Sequence, residues 1–62
     1  MSQVLIYKGI QVQAQDMENG KVLVQTRNPV DAQKAGIPFK ELQSGVAIFE
    51  AWVPQAEIVP IN

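Results

Sequence analysis

The most constraining feature of this 62-residue chain is a strict alternation of apolar and polar residues from Ile10 to Gln15, which reads Ile-Gln-Val-Gln-Ala-Gln. Successive side chains of a β-strand point to opposite faces, so the alternation predicts a strand with one buried face and one wet face. Ile10, Val12 and Ala14 share the buried face, and three glutamines share the other. The pattern therefore requires a sheet with a core on one side.

The sequence Asn19-Gly20 separates this strand from a second apolar run and indicates a β-hairpin. A two-residue loop at Asn19-Gly20 would set Ala14 opposite Gln25 and Val12 opposite Arg27, which would place buried and solvent-exposed residues on the same face. A three-residue loop that ends at Gly20 sets Ala14 opposite Val24 instead. Because a one-residue slip moves every side chain to the other face, burial favours the three-residue loop, with a bulge at Gly20.

The same register sets Asp16 opposite Val22 and leaves Leu23 on the glutamine face. Two interpretations of Leu23 follow. Either the curvature of the barrel or a loop covers it, or it is a contact between subunits.

A short helix is predicted over residues 29–35. Asn28 suits the N-cap, and Pro29 suits the first helical position, where its missing N–H costs nothing. Asp31 and Lys34 are placed favourably for the helix dipole, and Gly36 can end the helix in the left-handed conformation. A helix of two turns is not stable alone, so we expect it to pack on the sheet.

The remaining segments predict further strands and turns. Val4–Tyr7 is typical of a strand or of the start of one long bent strand, and Lys8-Gly9 is either a tight turn or a bulge. We expect a second short turn at Phe39–Leu42. The run 46–53 predicts a last long strand that is apolar on both faces, and such strands are central or lie in an interface.

Glu50 is the single charge in that run. It is either a solvent-exposed charge at an edge or at the rim of the barrel, or a partner of Lys or Arg across an interface.

Pro54–Glu57 predicts one turn of 3₁₀ helix. Ile58–Ile61 predicts a short closing strand at an edge, because Pro60 lacks the N–H that an inner strand needs.

The ending Trp-Val-Pro-Gln-Ala-Glu-Ile-Val-Pro-Ile, residues 52–61, resembles that of SH3-like barrels. In that family a strand, an aromatic-aliphatic-proline triplet, a 3₁₀ turn and a last strand follow one another. The resemblance implies a small barrel of about five strands, with the helix near 29–35 inserted. Pro54 lies at the position of the family's groove proline, whereas Glu57 replaces its groove tyrosine.

The ending is also similar to that of the type II dihydrofolate reductases, which are tetramers of small SH3-like barrels. Their Gln-Ile-Tyr motif has no counterpart here, so the activity is not inferred.

The amino-acid composition limits the kinds of site and partner that this chain can have. Without cysteine and histidine the chain has no disulfide, no thiolate or imidazole metal site and no nucleophile–histidine pair. Its five basic and six acidic residues are scattered, which argues against nucleic acid as a partner. We expect no catalytic residue, no cofactor and no metal.

No apolar run approaches the roughly 20 residues of a membrane span. The start lacks the pattern of a secretory signal, so a cytoplasmic protein is expected.

Residues 1–62 are therefore interpreted as a single small β-barrel domain. We expect a non-enzymatic interaction or accessory module that acts through protein contacts. A domain this small, without disulfide or metal, has self-association as its remaining means of stabilisation, as a homodimer or a higher homo-oligomer. Leu23, Phe49 and Trp52 are the candidates for the interface, because large apolar side chains dominate interface energies. The alternatives are a nucleic-acid-binding small barrel and an enzyme whose site lies at the symmetry axis of an oligomer.

Overall fold

Antiparallel β-strands dominate the computed structural model, which describes residues 3–60. One six-stranded sheet has the order β4-β5-β3-β2-β1-β6, and one short helix packs against it. The predicted mostly-β class with a short helix is confirmed. In chain order the elements are β1 (Gln3–Tyr7), β2 (Ile10–Glu18), β3 (Lys21–Thr26), α1 (Pro29–Ala35), β4 (Phe39–Gln43), β5 (Val46–Pro54), a 3₁₀ turn (Gln55–Glu57) and β6 (Ile58–Pro60).

The sheet is not closed into a barrel. Strands β4 and β6 are its two edges, and no ladder joins them within residues 3–60. The expectation of a closed barrel of about five strands is wrong in this respect. Within the described residues β6 pairs with β1 alone, and β4 pairs with β5 alone. Pro60 does lie in an edge strand, as predicted, and Ile61 falls outside the described residues.

The turn between β2 and β3 has two residues and not the three predicted. Glu18 pairs with Lys21, so the loop is Asn19 and Gly20 alone. Their φ angles of 51° and 76° are both positive, as the type I′ turn requires. Gly20 thus has the predicted left-handed conformation, but in a different turn.

A bulge at Gln15 reconciles this short turn with burial of the core face. Ala14 pairs with Val24 as predicted, whereas Asp16 pairs with Leu23 and not with Val22. Gln15 is the extra residue between the two registers. One extra residue shifts the pairing by one position, so a two-residue turn is compatible with the correct faces beyond the bulge.

The helix has the predicted bounds and caps. Val30 and Asp31 donate their backbone N–H groups to Asn28 Oδ1 at 2.9 and 3.2 Å. Gly36 ends the helix with a φ of 72°. Two alanines, Ala32 and Ala35, are buried against the sheet, which supplies the stability that so short a helix lacks alone.

Two further hairpin turns bear on the predictions for Lys8-Gly9 and for Phe39–Leu42. Tyr7 pairs with Ile10, so Lys8-Gly9 is a tight turn and not a bulge. Phe39–Leu42 was expected to be a turn, but it belongs to strand β4, which a two-residue turn connects to β5. A register shift between Phe39 and Glu41 interrupts the alternation of β4. The sequence there therefore lacks the pattern from which a strand is predicted.

The core lies between the helix and one face of the sheet. Strand β5 lies between β4 and β3, so it is an inner strand of the sheet. The core is small, and Tyr7 is its one aromatic member among the described residues. Its contiguous cluster of buried residues comprises Leu5, Tyr7, Ile10, Val12, Val22, Val24, Ala32, Ala35, Ile37 and Val53.

Deletion of Gln15 should leave the fold intact, because it converts the bulged β2–β3 ladder into a regular one with the observed pairs. Deletion of Gln13 is the matched control. It either turns Val12 away from the core or places Gln15 at the position of Ala14. We expect cooperative denaturant unfolding for the first variant and a large loss of stability for the second. Equal losses would contradict the role of the bulge.

Candidate functional site

The candidate site is the sheet face that points away from the core, here called the outer face. Alternation along the strands assigns its members, since each is next to a residue of the buried face. These residues are Val4 and Ile6 on β1, Gln11 and Gln13 on β2, Leu23 and Gln25 on β3, and Glu50 and Trp52 on β5. The outer face thus combines apolar side chains with a row of carboxamides.

Leu23 and Trp52 form a cross-strand pair on this face. Leu23 is half-buried, whereas 44% of Trp52 remains exposed. Next to the pair, Trp52 lines a shallow recess with Glu18, Asn19 and Lys21 at the β2–β3 turn. Two of the three interface candidates predicted from the sequence therefore lie side by side.

Phe49 lies on the opposite face. It is three residues from Trp52 in a regular stretch of β5, so its side chain points the other way. It packs against the core cluster and meets Phe39 of β4 edge to face, with ring centroids 5.8 Å apart. The structure thus separates Phe49 from the other two candidates and gives it a role in holding β4.

A chain of polar side chains crosses four strands on the outer face. Gln15 Nε2 donates to Gln25 Oε1 at 3.5 Å, and Gln25 Nε2 donates to Glu50 Oε2 at 2.6 Å. Lys40 Nζ donates to the other carboxylate oxygen of Glu50 at 2.8 Å. The sequence interpretation missed this chain, because it did not recognise β4 and so had no place for Lys40.

The position of Glu50 differs from both interpretations of the sequence. Its side chain is only 11% exposed, and its cationic partner, Lys40, belongs to the same chain. The hydrogen bond from Lys40 lowers the pKa of the Glu50 carboxyl, an effect that burial opposes and the hydrogen bond from Gln25 reinforces. The hydrogen bond and charge of Glu50 raise the pKa of Lys40. The pair ties the edge strand β4 to β5.

A shallow cavity of about 170 Å³ indents the outer face between the first three strands. It is lined by Gln11, Gln13, Gln25 and Arg27, together with Val4, Val12 and Thr26. Carboxamides donate and accept hydrogen bonds without titrating, which suits recognition better than proton transfer. Among residues 3–60 no group of three or more acidic side chains is placed to hold a metal ion.

Comparisons with known proteins identify no relative. The chain matches no protein-family model, and neither curated proteins nor solved structures show significant similarity to it. In the part of the chain that the structure describes, no helix is long and apolar enough to cross a membrane. The outer face therefore has to be interpreted from its own geometry.

The Lys40–Glu50 pair makes stability depend on pH in the acid range. Because folding lowers the pKa of Glu50, its contribution is complete above the pKa of the unfolded chain and is lost as pH falls through the lower, folded pKa. We expect Glu50→Gln to be less stable than the wild type at neutral pH. The difference should shrink on acidification. Denaturant unfolding measured at a series of pH values tests this, and a difference that stays constant into strong acid would contradict it.

Proposed function

We propose that this protein is a non-enzymatic interaction module that self-associates through its outer face, with Leu23 and Trp52 at the centre of the contact. The observation that carries the proposal is the exposed indole of Trp52 beside the half-buried Leu23. Tryptophan is among the residues most enriched at the energetic centres of interfaces, where a large ring is desolvated against a partner.

The small core supports the same proposal. Tyr7 is the one aromatic residue of the buried core cluster among the described residues, and Trp52, the largest aromatic residue of the chain, stays outside it. A domain of about 60 residues buries only about 60% of the surface that its unfolded chain exposes. Association through the outer face would add apolar burial, and it would stabilise the folded chain by mass action.

The resemblance to SH3-like domains is part of the proposal. In its favour, Trp52-Val53-Pro54 ends strand β5, and a 3₁₀ turn leads directly into β6. We propose an SH3-like arrangement whose sheet remains open and carries an inserted helix and edge strand. Glu57 stands where the family has its groove tyrosine, so the outer face is a better candidate for contacts than a proline-binding groove.

Analytical ultracentrifugation from micromolar to millimolar concentration tests the proposal. We expect the wild type to show an average mass that rises with concentration. Trp52→Lys and Leu23→Lys should shift the distribution toward the monomer, since each places a charge at the proposed contact. Val30→Lys is the matched control, because Val30 is 67% exposed on α1, away from the outer face.

Circular dichroism of each variant separates lost association from lost folding. Trp52→Lys is the sharper variant, because 44% of the side chain is already exposed and its loss removes little core packing. A constant 6.8 kDa species over the whole concentration range would overturn the proposal. So would a folded Trp52→Lys variant that associates like the wild type.

A further inference from the structure

The turn between β2 and β3 carries chemistry that its structural role does not require. Asn19 and Gly20 are both exposed, and a side-chain atom built at Gly20 would meet nothing within 4 Å. The amide of Asn19 is followed by a backbone nitrogen that no side chain shields. These are the two reacting groups of intramolecular imide formation.

We propose that Asn19 is a site of spontaneous deamidation through a cyclic imide. The Gly20 nitrogen attacks Cγ of Asn19, and the new C–N bond forms as the side-chain amine leaves. That amine departs as ammonia, taking the proton that the Gly20 nitrogen loses. Water then opens the imide at one of its two carbonyls. Opening at Cγ yields aspartate, and opening at the backbone carbonyl yields isoaspartate.

The backbone of the turn is one peptide flip away from the conformation that ring closure needs. The imide ring requires ψ of the asparagine near −120°, the value at the first central position of a type II′ turn, about (60°, −120°). Asn19 has the positive φ that this position requires, at 51°. A flip of the single peptide unit between Asn19 and Gly20 converts type I′ into type II′. Both types are two-residue hairpin turns, so the ladder beyond the turn keeps its register.

The contacts of the turn leave that flip free. The carbonyl of Gly20 accepts a hydrogen bond from the backbone N–H of Gln55 at 3.0 Å. This carbonyl belongs to the following peptide unit, which the flip does not rotate. Gly20 tolerates negative as well as positive φ, because it has no Cβ. The anchor to Gln55 therefore holds the turn in place while the reacting peptide unit rotates.

Either product changes the surface around Trp52. Each adds a negative charge beside Glu18 in the recess that Trp52 and Lys21 share. Isoaspartate also lengthens the main chain by one methylene in a turn whose pairing of Glu18 with Lys21 allows only two residues. The inference stands without the proposed interface, since it depends only on the turn.

The test is incubation of the folded protein in mildly alkaline buffer, followed by tryptic digestion and mass spectrometry. Lys21 and Arg27 lie between Asn19 and Asn28, so trypsin places the two asparagines in separate peptides. Asn28 is an internal control, because the nitrogen of Pro29 carries no hydrogen and cannot form the imide. A synthetic peptide of residues 16–23 gives the rate without the fold.

We expect both acidic products at position 19, none at position 28, and a rate in the folded protein within about tenfold of the peptide. Asn19→Gly should keep the type I′ turn and should keep its stability through the incubation, whereas the wild type loses stability as it converts. Position 19 staying intact while the peptide converts would overturn the inference. An equal loss of stability in Asn19→Gly would overturn the link to the turn.

Discussion

The pairing of β2 with β3 is the constraint on which the rest of the structure depends. These strands contribute Ile10, Val12, Val22 and Val24 to the small core, so their faces must match. A two-residue turn in a regular ladder would set Ala14 opposite Gln25, and the bulge at Gln15 prevents this. One extra residue thus allows a favourable type I′ turn and a continuous apolar face to coexist.

The outer face follows from the same register. With Val22 and Val24 turned toward the core, Leu23 must point outward, where it pairs with Trp52 of β5. Gln25 points outward as well and accepts from Gln15 while donating to Glu50. Glu50 then holds Lys40 on the edge strand. The apolar pair and the polar chain are consequences of one strand register.

Local signals in the sequence predicted the helix and its caps, because Asn28, Pro29 and Gly36 act through neighbouring backbone groups. They also predicted that Ala14 faces Val24. Strand β4 was missed, since a register shift interrupts its alternation after Phe39. The partner of Glu50 is Lys40 of β4, so it could not follow from local patterns, whereas alternation along β5 alone places Phe49 on the face opposite Trp52. Leu23 and Trp52 were identified separately, and only the order of strands places them side by side.

The central claim is that Trp52 becomes buried when two copies of the chain meet. Trp52 is the only tryptophan of the chain, so its fluorescence reports on that position alone. The direct measurement is quenching of this fluorescence by a water-soluble quencher at increasing protein concentration. Efficient quenching in dilute solution, with protection and a blue-shifted emission as concentration rises, is the predicted result. Equal quenching at every concentration would contradict the claim.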